Sequence, residues 1–245
     1  MNLPRFYCRE ALSPGAHVEL PEPVARHAVR VLRLPPGAPM VLFDGRGGEY
    51  LAHIERIEKN RVFAELADWR DVERESRLAV TLVQALQAGD KMDFTIQKAV
   101  ELGVRDIVPV DSRRSVLKLA GDRAGKRVAH WQGVAASACE QCGRNQVPLV
   151  APLERLEQWL ARPADGGLRL MLAPDAEETL ADLAPATRVQ LLIGAEGGLD
   201  PQEMIAARQA GFRAVRLGPR VLRTETAGLA ALAALQALWG DFREG

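Results

Sequence analysis

Beyond residue 78 the chain alternates short apolar runs with helix-patterned segments, and nothing else in its 245 residues constrains the fold as strongly. Residues 78–86 read as an apolar strand. Asp90 stands where it can cap a helix reaching Leu102, and Gly103 where a left-handed C-terminal glycine belongs. Further strands are expected over 104–110, 168–172, 189–193 and 214–217, and helices over 125–142, 201–210 and 226–238. Strands that alternate with helices make a mostly parallel sheet covered on both faces, and ligands bind beyond the carboxyl ends of its strands. An α/β domain is the expectation.

The first seventy residues have another rhythm. Residues 5–9, 18–20, 40–43, 50–56 and 61–66 read as short strands, interrupted by the turn cluster Asp44-Gly45-Arg46-Gly47-Gly48. One helical stretch, 22–32, carries Arg26, His27 and Arg30, and Pro35-Pro36-Gly37 ends it. This pattern predicts a small β-barrel. With 69–77 read as a linker, the domains are expected to be 1–72 and 73–245.

Composition narrows the class. With 47% hydrophobic and 26% charged residues the chain reads as globular. Its first fifteen residues contain Arg5 and Arg9 but no apolar run, and no stretch approaches the roughly 18 apolar residues of a membrane span. A cytoplasmic protein, free of membrane contact, is expected. Three cysteines are an odd number and argue against a disulfide framework. Cys139 and Cys142 form C-x-x-C, but a zinc site takes about four ligands and Cys8 is remote in sequence, so a structural role is expected. Net charge is zero, yet residues 105–146 hold eight Lys and Arg against four Asp and Glu, while 151–205 hold four against ten. Only five of the 32 basic residues are lysine. Arginine suits bidentate phosphate contacts, although an Arg- and Ala-rich chain also reflects a GC-rich genome.

Two segments carry the chemistry. In the first, an apolar strand enters Gly194-Ala195-Glu196-Gly197-Gly198, a turn whose bare backbone lets a ligand approach closely. Asp200, Pro201 and Glu203 then supply an N-cap, an N1 proline and an N3 acid, together worth about 1 kcal/mol or more to the helix start. A glycine turn does not require an acid, so Glu196 is a candidate functional carboxylate. In the second, a strand ends in Leu217-Gly218 and an irregular loop leads through Arg223, Thr224 and Glu225 into a helix apolar around its circumference. Such a helix must be buried, in the core or against another subunit.

These segments, G-x-E-G-G and L-G-x-x-x-L-R-x-E-T-A, resemble the SPOUT superfamily of methyltransferases, and more narrowly the bacterial branch acting on uridine N3 of 16S ribosomal RNA. Gln97-Lys98-Ala99-Val100-Glu101-Leu102-Gly103-Val104 is similar to the branch's K-A-x-E-L-G-V. Ala138-Cys139-Glu140-Gln141-Cys142-Gly143-Arg144 resembles A-x-E-Q-S-x-R, and His27, Val31, Leu32 and Arg33 match H-x-x-x-V-L-R. The chain departs from the pattern at Ala195, where proline is usual, and at Cys142, where serine is usual.

The resemblance implies a trefoil-knotted methyltransferase domain, a PUA-like RNA-binding barrel before it, and a homodimer. It implies S-adenosylmethionine bound by three loops. The first offers Leu172, Ala173 and Pro174; the second Ile193, Gly194, Glu196, Gly197 and Gly198; the third Leu217, Gly218, Val221, Leu222, Arg223, Thr224, Thr226 and Ala227. A sulfonium methyl needs only in-line attack, so no metal is called for. Uridine N3 is protonated and becomes nucleophilic when that proton leaves. Arg223 is the candidate to stabilise charge on the uracil oxygens, and Glu225 or Glu101 to take the proton. Arg9, His27, Arg30, Arg33, Lys98, Arg113, Arg114 and Arg144 are the candidate contacts to 16S ribosomal RNA, within the small subunit; a packing role for His27 competes.

Other readings are thinner. Gly121 to Arg127 is one residue short of a phosphate loop and lacks its hydroxyl, so it reads as a basic turn suited to RNA phosphates, with Lys118 nearby. No G-x-G-x-x-G follows an early strand, as a dinucleotide fold needs. His17, His53 and His130 form no ligand spacing. A 2′-O-ribose methyltransferase of the same superfamily and a non-catalytic RNA-binding protein stay open as alternatives.

Overall fold

Alternating burial along the N-terminal strands builds a five-stranded sheet. In the computed structural model, which describes residues 3–59, 61–163 and 166–243, these strands are β1 (Arg5–Tyr7), β2 (His17–Glu19), β3 (Pro39–Phe43), β4 (Glu49–Glu58) and β5 (Arg61–Arg70). Their order is β1-β3-β4-β5-β2, antiparallel except for the β1–β3 pair. β1 and β2 stand at the two ends of this order. Register shifts in the β4–β5 ladder at Tyr50/Ala52 and Ile54/Arg56 are the irregularities that bend a sheet. Helix α1 (Glu22–Arg26) continues into a π-helical turn, His27–Val31, and buries Val24, Ala25 and Ala28 against Phe6, Met40, Leu42, Ile54 and Leu66.

The boundary expected at 72/73 divides the chain once, whereas the first compact unit takes in residues up to Glu75 together with Ala136–Val147. Polar bonds explain the addition. Tyr7 N donates to Glu140 Oε1 at 2.9 Å, Arg5 Nη2 to Asn145 Oδ1 at 2.6 Å, and Arg144 Nε to Glu75 Oε1 at 3.0 Å. Burial pushes the Glu140 carboxyl up from its ordinary range. The stretch read as a linker is likewise anchored, since Glu73 Oε1 accepts from Gly48 N at 2.6 Å.

The second unit, Ser76–Ala135 with the chain from Pro148 onward, is the α/β domain. Its strands are β6 (Ala79–Ala85), β7 (Asp106–Asp111), β8 (Leu149–Val150), β9 (Glu154–Arg155), β10 (Leu168–Leu172), β11 (Arg188–Ile193) and β12 (Arg213–Val215). They form one parallel sheet in the order β12-β10-β11-β6-β7-β8, with β9 also paired to β7. From β6 the chain builds outward to β8, then returns to the other side through β10. The junction of β6 and β11 is therefore a topological switch point, the place where open α/β sheets bind ligands.

Period-two alternation assigns the two faces. Val83, Ala85, Val108, Val110 and Leu192 pack with Leu156 and Trp159 of α4 (Leu156–Leu160) and with Ala207 of α5 (Pro201–Gln209). Leu82, Gln84 and Ile193 point the other way, to α6 (Thr224–Trp239), where they lie 3.3–3.6 Å from a Cβ built on Gly228. On this side α6 also packs on α2 (Lys91–Glu101). The expected strands and long helices are all present, shifted by a few residues. Two details differ. Asp90 occupies the N-cap of α2 but its side chain accepts no capping hydrogen bond. The segment 121–127 is helical, because α3 runs Gly121–Cys142; Arg127 lies over the Trp131 ring and pairs with Asp93, so no phosphate-binding turn forms there. By contrast Asp200 and Glu203 make the expected capping box, and Gly103 takes φ +79°.

Helix α2 ends against a buried glutamine. Gln236 Nε2 donates to Leu102 O at 3.2 Å and Gly103 O at 3.4 Å, and its Oε1 accepts from Ser76 Oγ at 2.7 Å. These carbonyls are among those a helix end leaves unpaired. Gln236→Leu keeps the volume and removes a hydrogen-bond partner from three half-buried polar groups. The expected loss is about 1–3 kcal/mol of unfolding free energy in urea titration, and unchanged stability would show that the clamp carries no weight.

Candidate active site

At the carboxyl end of the second unit's sheet, three loops enclose a cavity of 410 Å³, within the ~300–1,000 Å³ of small-molecule sites. The loop after β10 contributes Leu172, Ala173, Pro174 and Asp175; Ala173 N donates to Val215 O at 3.0 Å, which ties this loop to the third. The loop after β11 contributes Ile193 through Leu199. The loop after β12 contributes Arg216, Leu217, Gly218, Arg220, Val221, Leu222 and Thr224, with Ala227 from the first turn of α6. Arg223 and Thr226, also expected on the cofactor, do not line the cavity; both are exposed, and Arg223 O accepts from Thr226 N and Ala227 N as the helix starts.

The glycine turn is made by backbone geometry. Gly198 N donates to Ala195 O at 2.8 Å and Gly198 sits at φ +72°. A Cβ on Gly194 would lie 2.7 Å from Gly198 C and 2.8 Å from Leu199 N, so no side chain fits there. Glu196, the carboxylate that the turn alone does not require, accepts from Ala88 N at 3.1 Å and lies 3.7 Å from Lys91 Nζ. It fastens the loop after β6 to the turn.

Behind the cavity lies a buried polar network around Thr224. Its hydroxyl donates to Gly194 O at 2.6 Å and accepts from Gln84 Nε2 at 3.1 Å. With its amide oriented to satisfy every neighbour, Gln87 donates to Thr95 Oγ1 at 2.9 Å and Lys91 O at 3.2 Å, and accepts from Glu225 N at 3.2 Å. That last bond caps α6, whose first amides are otherwise orphaned. Glu225 Oε1 is 3.6 Å from Lys91 Nζ, and Glu225 Oε2 is buried without a hydrogen-bond partner among the described residues. Gln84, Gln87 and Lys91 were not expected from the sequence. Two glutamines closing an otherwise apolar strand were the available signal.

The other candidates scatter. Glu101 is bonded to Lys98 at 2.8 Å, ten residues down α2 from Lys91, which is about 15 Å along a helix. This chain alone therefore does not bring Glu101 or Lys98 to the cavity. Arg113 is engaged by Glu157 at 2.7 Å and by Asp200 and Gln202, and Arg144 is buried against Glu75, so neither presents the open guanidinium that a phosphate contact needs. Arg114 lines the cavity instead and donates to Gly197 O at 2.7 Å. In the first unit Arg9, His27, Arg30 and Arg33 are all exposed, and the His27 ring meets Phe6 edge-on at 5.7 Å.

Burial pushes the Cys8 and Cys139 thiols up to about 12, leaving them protonated and unreactive at neutral pH. Among the described residues no group of three His, Cys, Asp or Glu side chains is arranged to hold a metal ion, and no helix is long and apolar enough to cross a membrane.

Comparison with known proteins points the same way. Residues 74–236 match the model of an RNA methyltransferase domain, and residues 20–67 that of an RNA methyltransferase PUA domain. The chain is 32% identical to the ribosomal RNA small subunit methyltransferase E of Buchnera aphidicola from Schizaphis graminum, over 98% of each chain. It is 33% identical to that of Mycobacterium bovis, over 95% of this chain and 91% of the relative. Among solved structures, a methyltransferase from Legionella pneumophila in complex with bound S-adenosylmethionine superposes with a TM-score of 0.95 at 38% identity, covering 99% of this chain and all of that one. The ribosomal RNA small subunit methyltransferase E from Neisseria gonorrhoeae, bound to S-adenosylmethionine, superposes at 0.91 with 45% identity, covering 98% and 100%.

The turn geometry sets a test. Gly194→Ala forces backbone apart at the cavity rim, so its affinity for S-adenosylmethionine, measured by calorimetry, is expected to fall at least about tenfold through distortion of the packed turn. Unchanged affinity would show that this turn does not form the ligand's wall.

Proposed function

This chain belongs to the ribosomal RNA small subunit methyltransferase E family, and we propose that it carries out that chemistry with the cavity at the β6–β11 junction. It is an S-adenosylmethionine-dependent methyltransferase of the SPOUT type that modifies uridine N3 in 16S ribosomal RNA. The observation carrying this reading is the cavity itself: apolar side chains on two walls and the side-chain-free rim of Gly194, Gly197 and Gly198 on the third. Leu172, Ile193, Leu217 and Leu222 offer the flat apolar surface an adenine ring needs, and the backbone rim offers it hydrogen-bonding groups.

When bound, S-adenosylmethionine supplies a methyl group on a positively charged sulfur. The protein's own task is to place uridine N3 in line with that methyl and remove the N3 proton. Glu225 suits the second role. It stands at the head of α6, one residue from the cavity wall, with one oxygen steadied by Lys91 and the other without a partner among the described residues and able to accept a proton. Arg223, exposed beside it, is the cation for charge developing on the uracil oxygens. The exposed cations Arg9, Arg26, Arg30 and Arg33 of the first unit support phosphate contact by its PUA-type fold.

A homodimer is part of this reading. The outer side of α6 leaves Leu229, Ala233 and Leu238 partly exposed, and Phe94, Val221 and Phe242 are exposed in the same unit. Apolar surface of this kind supports a second copy as its partner. Ribosomal RNA as substrate supports a cytoplasmic location.

Labelled methyl transfer to small ribosomal subunits that lack the modification, followed by nucleoside analysis, tests the reading. The label is expected in 3-methyluridine, and Glu225→Gln is expected to slow single-turnover transfer about a hundredfold or more. Label in a 2′-O-methyl nucleoside would overturn the target atom, and a near-normal rate in the variant would overturn the base.

A further inference from the structure

Two adjacent arginines leave the end of β7, and the fold treats them in opposite ways. Their loop is fixed by the buried Ser112 and Ser115 hydroxyls, 2.9 Å apart, and by Arg113 N donating to Glu203 Oε1 at 2.8 Å. The Arg113 guanidinium is surrounded by Glu157, Asp200 and Gln202. Arg114 faces the cavity. Its stem lies over Gly197, where a built Cβ would meet Cδ at 3.4 Å and Cβ at 3.5 Å, and its Nη1 donates to Gly197 O at 2.7 Å. Among the described residues no carboxylate pairs with it.

The cavity's other charges sharpen this. Glu196 is already matched by Ala88 N and Lys91. Arg216 and Arg220 also line the wall, exposed as Arg114 is, but Arg216 acts on Asp182, holding its carboxyl below the usual range after the dominant Thr179 hydrogen bonds, and Arg220 makes no hydrogen bond to the glycine turn among the described residues. Arg114 alone among the cavity's cations is tethered to the glycine turn. A guanidinium has five N–H donors in a rigid fork that matches a carboxylate, and one carbonyl uses a single one of them.

We infer that Arg114 is the residue that grips the α-carboxylate of the cofactor's amino-acid arm, through the N–H groups it does not spend on Gly197. This rests on the S-adenosylmethionine reading of the cavity. The bond to Gly197 gives the arginine a second effect, because the cation that holds the ligand's carboxylate also holds the turn that forms the ligand's rim. Pre-fixing the fork lowers the ordering cost of binding.

Affinities of the full chain for S-adenosylhomocysteine, which keeps the amino-acid arm, and for 5′-methylthioadenosine, which lacks it, separate the possibilities by calorimetry without RNA. In the native chain the first ligand is expected to bind more tightly. Arg114→Gln is expected to cut that preference roughly tenfold or more, the weight of a charge-assisted fork, while 5′-methylthioadenosine, which meets only the loosened turn, weakens by a smaller factor. Arg114→Lys, which keeps the charge and loses the fork, is expected to recover part of the preference. Equal weakening of both ligands in Arg114→Gln would reduce the residue to a brace for the turn and overturn the assignment. So would an unchanged preference, or a loss of preference in Arg220→Gln instead. Failure of the native chain to bind either ligand would overturn the cofactor reading beneath it.

Discussion

The hydroxyl of Thr224, buried at the head of α6, donates to the carbonyl of Gly194 across 2.6 Å, and the site depends on that bond. Gly194 is where β11 becomes a turn, and its carbonyl is a buried acceptor that costs about 1–3 kcal/mol if unmet. Thr224 meets it while accepting from Gln84 on the neighbouring strand. One hydroxyl thus joins β11, β6 and α6 at the switch point of the sheet. Gly228, one turn later, admits the helix to within contact of Ile193 and Leu82. The cavity wall is held in place by the same contacts that bury the helix.

Around that joint the charges divide into those that build and those that remain available. Glu196 and Lys91 fasten the loop after β6, Arg113 fastens the head of α5, and Arg144 with Glu75 fastens residues 136–147 within the first unit. Arg114, Arg220 and Arg223 have no carboxylate partner among the described residues. A methyltransferase that binds a ligand carrying both signs of charge, and then a polyanion, needs cations left open at its rim.

This division explains what the sequence could reveal. Strand and helix periodicity located the parallel sheet, and the glycine turn with Asp200 and Glu203 announced its own geometry, because a capping box is local chemistry. Helix α4 and the two-residue strands β8 and β9 went unseen, being too short for any period to register. The fate of each arginine was also hidden. Arg113 and Arg144 look like phosphate ligands until their partners, 44 and 69 residues away, are brought beside them. Gln84 and Gln87 stand at the end of an apolar run, and only the arrival of α6, from 140 residues downstream of Gln84, makes them a cap and a tether.

Three loops, joined by Thr224 and by the bond from Ala173 N to Val215 O, form one ligand site within the second unit. Hydrogen–deuterium exchange of the full chain, with and without saturating S-adenosylhomocysteine, tests whether they respond as one. Slowed exchange is predicted in peptides covering residues 172–175, 193–199 and 215–227 together, with the sheet of the first unit unchanged. Protection of only one of these loops, or protection centred on the first unit, would show that the three loops do not form one site.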